Sequence, residues 1–182
     1  EIGIVRTDKV GDNPWPEFSA QSPLIATLSE ADPEEGNLRT ITDFHTLSNA
    51  NPPVKTNVPQ FFANTTDKVR YAAWFPKGTY SEGDITLPIN GDSDIMYSDI
   101  AEGSMTTGFE VMDFHHALSL FRIYAYSSSS KSLDWGNITS LVIEGLPDHC
   151  TITLPTISPK SGHQIKYSGT GLTLSHSESV EI

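Results

Sequence analysis

The chain has 182 residues and a formal net charge of −12, from 23 acidic and 11 basic side chains. That balance disfavours nucleic acid and anionic membrane surfaces as partners, and no apolar run approaches the roughly 20 residues of a membrane-spanning helix. Cys150 is the lone cysteine, which excludes a disulfide within the chain and a paired-cysteine zinc site.

A chain of this length buries enough surface to fold without covalent staples. It opens on Glu1 and not Met, which reads as a mature or trimmed form. Twelve Pro and thirteen Gly punctuate the sequence, and long helical periodicity is absent. Short apolar runs between turn signals predict an all-β sandwich or barrel.

In chain order, Ile2 to Arg6 is a first edge strand, and Gly11 to Pro16 is a loop because its prolines remove donors. Pro23 to Ser29 reads equally as a short strand or a helical turn. Ala31 to Gly36 is an acidic turn, Ile41 to Leu47 a strand, and Val54 to Phe62 a proline-interrupted edge strand. Val69 to Phe75 is a strand stopped by Pro76-Lys77-Gly78. Ile85 to Ile89 is a short strand that Pro88 assigns to an edge. Asp94 to Tyr97 is extended, and Gly103 to Gly108 is a loop.

Asp113 to Tyr126 is the longest apolar-rich run without Gly or Pro. Its alternation, with one slip between Leu120 and Phe121, predicts a long central strand carrying a β-bulge. Ser127 to Ser130 is a polar loop. Ile138 to Ile143 and Cys150 to Leu154 are strands, followed by two weaker ones at Gln164 to Tyr167 and Gly171 to Leu174. The shift toward Ser, Gly and Lys after Pro155 divides the chain into a main domain, 1–155, and a C-terminal appendage or start of a second β domain, 156–182.

Catalytic and metal signatures are missing. His115 and His116 are adjacent, so on a strand they point to opposite faces. No histidines stand at the i, i+4 spacing of a helical zinc site. Asn90-Gly91-Asp92-Ser93-Asp94 offers clustered oxygens but lacks the pattern of a calcium loop, and a self-bonded Asx turn explains it. No Gly-x-Ser-x-Gly elbow occurs. Cys150 directly follows His149, and neighbouring strand residues project oppositely, so Cys150 reads as a buried structural thiol. The expectation is a non-enzyme without cofactor or metal. Trp15, set between two prolines in a loop, is the candidate ligand contact.

Four pieces, in order, resemble the fimbrillin family of Gram-negative anaerobes, which are pilus and surface proteins. They are Ile41-Thr42-Asp43-Phe44, Tyr71-Ala72-Ala73-Trp74-Phe75-Pro76, Asp94-Ile95-Met96-Tyr97-Ser98 and Phe114-His115-His116-Ala117-Leu118-Ser119-Leu120. Together they cover about residues 40 to 145. The resemblance implies a transthyretin-like, Greek-key β-sandwich of about seven to nine strands. It implies an exported protein at the cell surface, outer membrane or fimbrium, attached to membrane only through a lipid anchor outside this chain.

The family's polymerising members lose a terminal strand to an arginine-specific protease and accept a partner's strand in the vacated groove. Arg6 and Arg39 are the early arginines, and Arg39, in a polar loop before a strand, is the candidate maturation site. The function so implied is a fimbrial subunit, tip or anchor acting in adhesion, with other subunits as strand-exchange partners. The alternative is a carbohydrate- or host-ligand-binding module on the same sandwich.

Overall fold

A computed structural model of the chain describes residues 1–36, 38–47, 52–62, 64–65, 67–109, 111–120, 122–124, 139–155 and 163–176. These residues form β1 (Ile2–Lys9), β2 (Leu24–Leu28), β3 (Ile41–Leu47), β4 (Lys55–Asn57), β5 (Lys68–Phe75), β6 (Thr79–Ser81), β7 (Asp84–Pro88) and β8 (Met96–Ser98). There follow β9 (Ala101–Ser104), β10 (Gly108–Phe109), β11 (Phe114–His116), β12 (Leu141–Leu146), β13 (His149–Thr153), β14 (Gln164–Ser168) and β15 (Leu172–His176). Among the described residues one 3-10 turn, Phe18–Ala20, interrupts them.

The strands build antiparallel sheets. The large sheet runs β10-β9-β5-β1-β2-β3-β4, with β8 also pairing the end of β5 and β11 pairing β8. A four-stranded sheet runs β14-β13-β7-β6, and β12 pairs β15 separately. The chain is therefore all-β, as the turn-punctuated sequence predicts. The ladders cross residue 155: β14 pairs β13 over five positions, and β15 returns to β12.

The large and small sheets pack face to face. Val5, Ala72 and Trp74 of the large sheet meet Ile85, Leu87, Cys150 and Ile152 of the small one. The opposite face of the large sheet carries a second cluster of Ile2, Ile4, Ala26, Val69, Tyr71 and Ala73, against which Phe44, Phe62 and Phe114 pack. Strand β5 shows why both faces are buried. Val69, Tyr71 and Ala73 go to one cluster while Ala72 and Trp74 go to the other, so the strand is apolar on both sides.

Several expectations are corrected. Ile2 to Arg6 is not an edge strand: β1 lies between β5 and β2, with Ile2, Ile4 and Val5 buried in the two clusters. Strand β7 is likewise interior to its sheet, between β6 and β13. Pro88 is tolerated because it is the last residue of the strand. The 103–108 stretch is not an isolated loop, since Gly103 and Ser104 belong to β9 and pair with β5 and β10.

The largest correction falls on 113–126. Among the described residues of that run only Phe114–His116 forms a strand, because its partner β8 is three residues long and offers no further ladder. Ala117 is buried and Leu118 partly so, but Leu120 is 79% exposed. Phe121 and the 125–138 stretch, with the loop expected at 127–130, lie outside the described residues.

Candidate functional site

The N-terminal strand and the groove that holds it form the candidate site. Strand β1 pairs β5 at seven positions, from Gly3 opposite Trp74 to Lys9 opposite Lys68. It pairs β2 at three, from Ile2 opposite Ala26 to Ile4 opposite Leu24. Both sides of its backbone are thus hydrogen-bonded near the N-terminus. Its side chains alternate between the two clusters, Ile2 and Ile4 to one and Val5 to the other. Each such apolar side chain, fully buried, stabilises the fold by roughly 1.5–3 kcal/mol.

Gly3 sets the register. A Cβ at this position would lie 2.3 Å from two atoms of the Trp74 indole. The indole has little room to move: it stacks on Tyr80 with centroids 5.5 Å apart, and its Nε1 donates to the Lys77 carbonyl at 2.7 Å. A strand lying in this groove must therefore present glycine where it crosses Trp74. A slip of one residue would place Ile2 or Ile4 there. The signal for this pair is Gly3 itself, since a lone glycine within a strand marks a close approach.

Arg6 fixes the other half of the strand. Its Nε lies 3.0 Å from both Asp8 oxygens, its Nη1 donates to Gln60 Oε1 at 3.0 Å, and its Nη2 donates to the Phe61 carbonyl at 2.6 Å. Burial works against the Arg6 charge, but Asp8 outweighs it and holds the guanidinium pKa above its ordinary value. Strand β1 is thereby tied to the segment after β4.

Arg39 lies between β2 and β3, exposed, next to the Asp32–Leu38 bridge. Its Nη1 donates to the Ser29 carbonyl at 3.1 Å. Cutting after it would disconnect β1 and β2 from the remaining strands. Trp15 is half-buried, and its ring lies 4.2 Å from the guanidinium carbon of Arg70. Arg70 is itself 1% exposed, with Phe18 at 5.2 Å. Burial lowers the pKa of Arg70, opposed by the charge of Glu102. Trp15 thus covers a buried cation, the contact that a cation–π pair provides. Arg39 and Trp15 lie in different loops, and no contact among the described residues joins them.

The histidines are dispersed. His45 is buried on β3 with Glu1 and Asp43 carboxylates at 3.4 and 3.5 Å. His115 meets Asp99 at 3.1 Å, His116 meets Asp94, and His149 meets Asp148 at 2.5 Å. Among the described residues no three metal-ligating side chains converge. Cys150 is buried between the sheets, which pushes its thiol pKa up. Comparison with family models, curated proteins and solved structures gave no match.

Proposed function

We propose that the chain is a non-enzymatic cell-surface protein, a fimbrial (pilus) subunit, tip or anchor that acts in adhesion and assembles by β-strand exchange. The observation that supports this reading is the placement of β1. Strand β1 occupies an interior seam, paired on both sides and feeding both cores. An equivalent strand from another copy, pairing its backbone on both sides and feeding both cores, would fill the same seam.

On this reading the protein is exported and sits at the outer membrane or fimbrium, with a lipid anchor supplied outside this chain. The architecture is transthyretin-like and Greek-key, with 1–155 as the principal domain and 156–182 as an appendage or the start of another. Arg39 is the maturation site. Proteolysis there would free β1 and β2, and an incoming strand with apolar-Gly-apolar-apolar order would fill the seam beside β5. Other fimbrial subunits are the partners, and the exposed loops contact the host.

The test uses the chain cut after Arg39 and a labelled peptide of residues 1–10. The peptide should be taken up in place of the native strand and remain bound in denaturant, and a Gly3→Leu peptide should not. Equal uptake of both peptides, or none of either, would count against strand exchange in this seam.

A further inference from the structure

A second feature lies beside the seam and does not depend on strand exchange. An open cavity of about 550 Å³ forms where the end of β1 meets the segment after the 3-10 turn and the segment after β4. It is shallow and wide open to solvent. We infer that this cavity is a binding site for a neutral saccharide, a hexopyranose or a short neutral glycan.

Phe61, on its rim, is 75% exposed and belongs to neither core cluster. An aromatic ring left in water at the mouth of a cavity offers an apolar face at little entropic cost when its backbone is held. Here it is held. The Phe61 carbonyl accepts from Arg6, the Gln60 side-chain oxygen accepts from Arg6, and the Gln60 amide donates to the Val58 carbonyl at 3.1 Å.

The charge of the cavity is spent internally. Arg6 faces Asp8 with both Nε and Nη2, the closest approach being 2.5 Å. An anionic ligand would find no unpaired cation there, and a cationic one would find the carboxylate already engaged. What remains is uncharged, part apolar (Ala20, Leu24, Val58, Pro59) and part polar. The Gln21 amide and the Ser22 hydroxyl line the cavity and make no side-chain hydrogen bond among the described residues. An aromatic face beside neutral donors and acceptors matches a pyranose, which has an apolar C–H face and a rim of hydroxyls.

Isotope-labelled full chain titrated with methyl glucoside, methyl galactoside, methyl mannoside and lactose at millimolar concentrations tests this. Saturable amide shifts are expected at Gln21, Ser22, Gln60 and Phe61 with at least one of these sugars. Phe61→Ala should weaken binding about tenfold, and the joint Gln21→Ala, Ser22→Ala variant should also weaken it, both with an unchanged thermal midpoint. The inference is overturned by an absence of saturable shifts with every sugar, by shifts that survive Phe61→Ala, or by a proline-rich peptide taking the site where no sugar does. The titration uses intact, unassembled protein, so its failure leaves strand exchange standing, and the reverse holds.

Discussion

At Gly3 a single missing methyl group decides how the chain can pair. Gly3→Ala places a Cβ against an indole that is stacked and hydrogen-bonded. Overpacking of this kind costs about 1–3 kcal/mol. A urea titration should show the midpoint falling without a change in slope; an unmoved midpoint would mean the indole can swing aside. Tyr80, on the other side of that indole, makes a second residue-scale prediction. Its hydroxyl donates to the Phe18 carbonyl, and burial pushes its pKa from 10 up to about 12. The unfolded chain loses this proton first, so between those values it binds fewer protons than the folded chain. Stability is whole below pH 10 and declines as pH rises to about 12. Burial raises Tyr71 and Tyr167 in the same sense. Tyr80→Phe should make the alkaline decline shallower in pH-dependent unfolding, without removing it.

At the scale of elements, legibility followed local signal. Strands β3, β5 and β13 stood out because their side chains are β-branched or aromatic and bounded by Pro or Gly. Strand β1 was recognisable as a strand but not as a central one, since periodicity does not report which neighbour supplies the hydrogen bonds. A clue lay in Ile2, Ile4 and Val5, which put apolar groups on both faces. The run from 113 had the reverse fault: its pattern alternates, but its neighbour β8 is short. The Arg6 clamp had no sequence signal, because Gln60 and Phe61 are more than fifty residues away. Backbone hydrogen exchange can rank these elements. Amides of β1 facing β5 should be among the slowest, while β4, exposed at all three residues, should exchange early. After cleavage at Arg39 the β1 amides should lose more protection than those of β13. Unchanged protection in β1 would show that cutting the loop does not release the strand.

The whole molecule carries a charge of −12, so copies of it repel one another. Assembly by strand exchange should therefore quicken as salt shortens the screening length from about 30 Å at 0.01 M to about 8 Å at 0.15 M. Light scattering of Arg39-cleaved protein across that range would measure it, and a rate that falls with salt would point to attractive charge contacts between subunits. Charge and composition were readable at once at this scale, whereas the pairing of β14 with β13 was not, because that contact joins segments on either side of a composition change. One consequence of the Arg6 clamp emerges only for many copies together. Arg6 and Asp8 travel on β1, while Gln60 and Phe61 stay with the body of the subunit. If a neighbour donates the strand, the cavity beneath Phe61 becomes a composite, with its charged wall from one chain and its aromatic rim from the next. Sugar affinity would then become a gauge of polymerisation, differing between free subunits and the fibre they form.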